Sequence, residues 1–188
     1  MKVNANQISR GNVVEHKNRL WVAVKVQHIN PGKGGAFVQM ELKDVRDGTK
    51  LNERFRSGES VERSRLDEHE MQYLFHDGDA YTFMDTESYE QMTLQRDLIG
   101  DSAVFLQDGM RVTVQTHEGS PVSIELPQTV IMTVVEADPV VKGQTASSSF
   151  KPGKLENGER VMVPPHIEAG TRIVVNTSDG SYVERAKD

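Results

Sequence analysis

None of the 188 residues is cysteine, which removes disulfides, thiolate nucleophiles and cysteine-based zinc sites at once. Long apolar runs are missing too. No stretch approaches the roughly 18 consecutive apolar residues of a membrane-crossing helix, and the opening Met-Lys-Val-Asn-Ala-Asn-Gln lacks the apolar segment of a secretory signal. The patterns that carry catalysis are equally scarce. The glycine spacing and the following Ser or Thr of a phosphate-cradling loop are absent around Lys33, and the dinucleotide glycine pattern is absent as well. Six histidines, at 16, 28, 69, 76, 117 and 166, are dispersed, with no pair at the helical spacing of a zinc protease. Asp77 and Asp79 bracket Gly78 in a turn, where short carboxylates commonly bond backbone amides. Ser147, Ser148 and Ser149 have no nucleophile-elbow pattern around them. We therefore expect a soluble cytoplasmic protein that is not an enzyme, has no cofactor, metal or membrane partner, and acts as a monomer.

What is present is a lysine displayed between glycines. Residues 28 to 38 read His-Ile-Asn-Pro-Gly-Lys-Gly-Gly-Ala-Phe-Val. The preceding Leu20 to Val26 is β-rich, and the following Ala36 to Leu42 alternates apolar and polar as a half-buried strand does. The intervening segment is thus the tip of a hairpin. Pro31 presets its own φ, Gly32, Gly34 and Gly35 allow positive φ, and nothing bulky surrounds Lys33.

Charge is divided unevenly. Residues 1 to 64 carry a net +5, residues 65 to 127 a net −10, and residues 128 to 188 a net −1, giving −6 for the whole. A basic first third with an exposed lysine suits contact with phosphate, whereas the acidic middle third would be repelled by it.

Strand patterns recur throughout. In the middle, Met71 to Phe75 and Ala80 to Met84 form one hairpin, and Arg111 to Thr116 with Val122 to Leu126 form another. Residues 96 to 106 read as a short helix, with Leu98, Ile99, Val104 and Phe105 as its apolar members. Later strand candidates are Thr129 to Glu136, Arg160 to Val163, Thr171 to Asn176 and Tyr182 to Arg185. The polar run from Ser57 to Arg65 and the turn signal at Pro127 mark boundaries, which predicts three small β-barrels covering 1–64, 65–127 and 128–188.

Several ordered strings sharpen this reading: Pro31-Gly-Lys33-Gly; Tyr73-Leu-Phe-His-Asp-Gly-Asp with Phe83-Met84 and Glu90-Gln91; Leu126-Pro-Gln-Thr-Val; Asp138-Pro with Lys142-Gly143; and Gly158 followed by Val161-Met-Val-Pro164 and Gly170. Across essentially the whole chain these resemble the bacterial translation elongation factor P family, relatives of the eukaryotic hypusine-containing initiation factor. The resemblance implies an all-β fold, an SH3-like (KOW-type) barrel followed by two OB-fold barrels in an L that mimics tRNA. It also implies a factor that contacts both ribosomal subunits between the peptidyl and exit tRNA sites and relieves stalling at consecutive prolines. In that family the residues matching Pro31, Gly32, Lys33 and Gly34 form the loop that reaches the CCA end of peptidyl-tRNA. The residue matching Lys33 is often extended by a lysine-modifying enzyme.

The resemblance further implies that Gly143, Gln144, Thr145 and Ala146 lie in a loop contacting the exit-site codon, Gln144 standing where the family often has Asp. Tyr182 and Arg185 match residues that face the small subunit. Two other classes compete with this reading. A general RNA-binding OB-fold protein or RNA chaperone would use aromatic platforms over a basic groove, but aromatics make up only 6% of the chain and the middle third is acidic. An SH3-like adaptor would need a groove for proline-rich peptides.

Overall fold

The computed structural model describes residues 1–139 and 149–187. It is built almost wholly of strands, in three sheets that follow one another along the chain. The first holds β1 (Lys2–Asn4), β2 (Val13–His16), β3 (Arg19–Ile29), β4 (Phe37–Asp44), β5 (Lys50–Arg56) and β6 (Ser60–Ser64), in the order β1-β6-β2-β3-β4-β5. The second holds β7 (Asp67–Asp77), β8 (Ala80–Asp85), β9 (Gln91–Gln95), β10 (Arg111–His117) and β11 (Ser120–Glu125), in the order β11-β10-β7-β8-β9. The third holds β12 (Thr129–Ala137), β13 (Lys151–Leu155), β14 (Arg160–Val163), β15 (Arg172–Asn176) and β16 (Tyr182–Arg185), in the order β14-β13-β12-β15-β16. In the third sheet β14 and β16 approach each other, curling it toward closure.

Sequence alternation explains which face each strand buries. Along β4, Val38, Met40 and Leu42 are fully buried while Phe37, Gln39, Glu41 and Lys43 are half-buried. Each of the three contributes about 2 kcal/mol by leaving water. They pack with Ala5, Ile8, Val14, Trp21, Ala23, Phe55 and Val61 as the first core. Trp21, the chain's one tryptophan, donates its Nε1–H to the His16 carbonyl at 2.9 Å and lies under the Arg19 guanidinium, 5.1 Å away. The inward parity of β4 ends on Asp44, whose carboxylate accepts from the Arg46 amide at 2.7 Å and meets Arg19 Nε at 2.6 Å. At the mouth of the same sheet Lys17 Nζ donates to Glu53 Oε1 at 2.8 Å, which holds the Glu53 carboxyl below its ordinary value despite opposing desolvation.

Turns follow their chemistry. Glu118 and Gly119, both at positive φ, join β10 to β11 as a two-residue hairpin turn. Pro121 is tolerated next to it because β11 is an edge strand. Two expectations need correction. Residues 96 to 106 are not one helix: a single α-turn, α1 (Arg96–Ile99), stops at Gly100 with φ 80, and a 3₁₀ segment runs from Gly100 to Phe105. The polar run after Ser57 is not only punctuation, because Ser60–Ser64 forms β6 and pairs with both β1 and β2.

Contacts divide the chain into two compact units, residues 1–69 with 114–124, and residues 70–113 with 125–188. In the first unit, Gln115 bridges Glu68 and Ser123, and His69 pairs with Thr116. Gly11 sits where a Cβ would lie 3.8 Å from Ser123 Oγ. In the second unit, Phe105, the last residue of the 3₁₀ segment, enters the core of the third sheet, among Val130, Met132, Val134, Leu155, Val161, Val163, Ile167, Ile173 and Val175. Gln107 donates to the Ile131 carbonyl and Asn157 donates to the Val104 carbonyl, both at 2.8 Å, fastening the plug on either side. Gly180 lies against it, a Cβ there being 3.1 Å from Phe105 Cζ.

Candidate functional site

The β3–β4 ladder closes at the pair Ile29↔Phe37, leaving residues 30 to 36 as a seven-residue tip. Asn30, Pro31, Gly32, Lys33, Gly34 and Gly35 are all exposed. Among the described residues no hydrogen bond or ion pair engages the exposed Lys33, so no partner fixes its ammonium. The expectation of three permissive glycines narrows to one. Gly34 has φ 103, whereas Gly32 and Gly35 lie outside the positive-φ region, and a Cβ at any of the three would meet nothing within 4 Å. Pro31 limits the entry to the tip and Gly34 turns the chain back, which leaves Lys33 at the apex.

The tip stands above a cationic ledge on edge strand β5. Register places Arg56 opposite Phe37 and Arg54 opposite Gln39. Arg54 stacks its guanidinium over the Phe37 ring, 4.2 Å from the centroid, and its Nε meets Gln39 Oε1 at 3.4 Å. A groove of about 770 Å³ opens here, lined by Gly35, Ala36, Phe37, Arg54, Arg56 and Glu59 among others. The Glu59 carboxylate accepts from the Arg56 amide at 3.1 Å, leaving the Arg56 guanidinium exposed to the groove. Cations beside a half-covered aromatic offer both charge for phosphate and a surface for a planar group. The Arg54–Phe37 pair is not legible in the sequence, since two residues 17 positions apart meet only through strand register.

Tyr182 and Arg185 lie on β16, the edge of the third sheet. They are three residues apart, a spacing that would put them on opposite faces of a regular strand. A bulge corrects this: Tyr182 pairs with Val175 and Arg185 with Ile173, so both share the face of two buried residues. Tyr182 is half-buried against the core, and Arg185 is exposed at the rim. Phe150, half-exposed, meets Tyr182 edge-to-face with centroids 6.1 Å apart. Sequence reasoning misses it because it stands alone in a polar stretch. Gly143, Gln144, Thr145 and Ala146 lie outside the described residues. Lys33 belongs to the first unit, and Tyr182 and Arg185 belong to the second.

Elsewhere, Asp77 pairs with Ala80 across the Gly78–Asp79 turn, and His76 stacks on Tyr81 at 4.8 Å. Among the described residues no group of three or more His, Asp or Glu could hold a metal, and no helix is long and apolar enough to cross a membrane.

Comparison with known proteins covers the same ground. Three family profiles match in succession: the elongation factor P KOW-like domain at residues 4–61, the elongation factor P OB domain at residues 66–124, and the elongation factor P C-terminal domain at residues 130–185. A curated elongation factor P from Rhodospirillum centenum is 64% identical over 188 residues, covering all of both chains. One from Bartonella bacilliformis is 57% identical over all of this chain and 99% of its own. Among solved structures, a eukaryotic translation initiation factor 5A from Methanococcus jannaschii aligns at 22% identity and a TM-score of 0.42, over 68% of this chain and 92% of its own. With matched profiles along its length and full-length relatives at such identity, the chain belongs to the elongation factor P family.

Proposed function

We propose that this translation elongation factor binds the ribosome between the peptidyl and exit tRNA sites and promotes peptide-bond formation at consecutive prolines, with Lys33 positioning the CCA end of peptidyl-tRNA. The observation that carries the reading is the Lys33 tip: an apical lysine with no hydrogen-bond or ion-pair partner among the described residues, raised on an eleven-residue strand beside Arg54 and Arg56. Proline is a poor acceptor because its nitrogen is a constrained secondary amine, and a Pro-Pro nascent chain restricts the backbone beside the reacting ester. A long cation reaching the CCA end supplies order without chemistry of its own, and ordering alone is worth several kcal/mol of barrier in favourable cases. The ribosome remains the catalyst.

On this reading the chain works in the cytoplasm as three domains, 1–64, 65–127 and 128–188. The first carries the acting tip. The third anchors through Gly143 to Ala146, Tyr182 and Arg185 on the codon side and small subunit. Lys33 is also the residue that a modifying enzyme would extend, since an exposed apical amine is open to acylation. Toeprinting on a Pro-Pro-Pro template tests the whole. Wild-type protein is expected to clear the stall and Lys33→Ala to leave it in place, and equal clearance by both proteins would refute the assignment. Intact mass of the protein from its native host tests the modification, which would add mass at Lys33.

A further inference from the structure

Of the four non-glycine residues at positive φ among the described residues, Lys17, Asn18 and Glu118 belong to two-residue hairpin turns. The fourth is Tyr89, at φ 61. It lies in the loop between β8 and β9, one residue before its end, where glycine or asparagine would relieve the backbone and an aromatic side chain strains it. The ring does not repay that strain by packing, because Tyr89 is 71% exposed, more than any other large apolar or aromatic side chain among the described residues. The turn nevertheless holds it firmly. Asp85 N–H donates to the Glu90 carbonyl at 2.8 Å and Tyr89 N–H to the Asp85 carbonyl at 3.0 Å. Asp85 Oδ1 accepts from the amides of Glu87 and Ser88, and Thr86 bonds the Glu70 carbonyl through both its amide and its hydroxyl.

A strained aromatic that contributes nothing to the core and stands on a turn whose backbone is held by hydrogen bonds is poised for something outside the chain. The surroundings select what that is. Glu87 and Glu90 lie in the same turn and are exposed, and the third of the chain that carries it has a net charge of −10. Arg111 is engaged by the Glu70 side chain at 2.6 Å, and Glu70 is the residue whose carbonyl Thr86 bonds. Phosphate is repelled by such a rim, whereas a lysine or arginine finds carboxylates for its charge and a ring face for its cation. We infer that the turn from Thr86 to Glu90 is a docking tip that presents Tyr89 to a Lys- or Arg-rich segment of a partner protein. The inference rests on the ribosomal reading in one respect: the ribosome, where basic protein lies beside RNA, is where the partner is sought.

Tyr89→Asn separates strain from contact, because asparagine tolerates the left-handed backbone and loses the ring. The full-length variant is expected to melt at the wild-type temperature or higher while binding purified ribosomes about fivefold or more weakly, as for an aromatic contact at the centre of an interface. Tyr89→Phe should retain most of the binding. With benzoylphenylalanine at position 89, photo-crosslinking on purified ribosomes should capture a protein segment rich in Lys and Arg. Unchanged affinity of Tyr89→Asn, a lowered melting temperature with the loss of binding, or a crosslink confined to RNA or to a non-basic protein segment would each overturn the inference. If wild type binds ribosomes and clears Pro-Pro-Pro stalls and Tyr89→Asn does both equally well, the docking tip alone falls. If wild type does neither, the ribosomal reading falls and takes the docking tip with it.

Discussion

Lys33 and its neighbouring glycines separate function from stability. Because the Lys33 side chain makes no hydrogen bond or ion pair among the described residues, Lys33→Ala is expected to change the unfolding free energy by less than about 0.5 kcal/mol, as for an exposed surface site. A melting temperature several degrees lower would show that the side chain holds the tip in place. The glycines divide by backbone conformation. Gly34→Ala must carry a β-carbon at φ 103 and should cost roughly 1–2 kcal/mol, whereas Gly32→Ala has open space and no positive φ and should be neutral or stabilising by about 0.5 kcal/mol. Denaturant melts of the two variants check the order. If the tip must stay mobile to reach its target, Gly32→Ala will also slow stall clearance although the fold is unharmed.

Strands and turns are legible where the signal is local. The β3–β4 hairpin, the Gly78–Asp79 turn and the β10–β11 hairpin all follow from alternation and turn residues within about twenty positions. β13 is not, because its sequence, Lys-Pro-Gly-Lys-Leu, reads as a breaker. The sheet accepts it for reasons outside the segment. Pro152 lies beyond the last β12 pair, Ala137↔Gly153, so its missing N–H is not needed there, and Gly153 lets the Glu136 carbonyl approach a would-be Cβ to 3.2 Å. The site is legible to the same extent: the Lys33 apex is local, whereas Arg54 over Phe37 and the bulge uniting Tyr182 with Arg185 depend on register. Register also makes β5 testable. Arg54 and Arg56 point outward from an edge strand, so reversing either to Glu should weaken ribosome binding and reduce the slope of log affinity against log salt by about 1 for each phosphate no longer neutralised. Neutralising Asp77 and Asp79, at a turn in the acidic third, should do less. A larger loss from the aspartates than from the arginines would overturn the assignment of the phosphate contact to β5.

For the molecule as a whole, the Phe105 plug decides what truncation means. A chain ending at residue 127 keeps Lys33 but uncovers Phe105 and removes the Ile131 carbonyl and Asn157 amide that fix its flanks. The fragment is expected to clear stalls poorly for two reasons, absent anchoring and a newly exposed apolar side chain, and adding Phe105→Ser to the fragment should restore its solubility without restoring its activity. In the intact chain Phe105→Ala should cost about 3 kcal/mol, as for other buried aromatics, read as a lower denaturation midpoint. Full clearance by the fragment at the intact protein's concentration would remove the third sheet from the mechanism. The solitary Trp21 gives this molecule an optical asymmetry. Its indole is 3% exposed in the first core, so emission on denaturation reports that core alone, while far-ultraviolet dichroism averages over all three sheets. Where the two curves coincide the molecule melts as one cooperative body, and where they part the gap measures how independently the Lys33-bearing sheet unfolds from the rest.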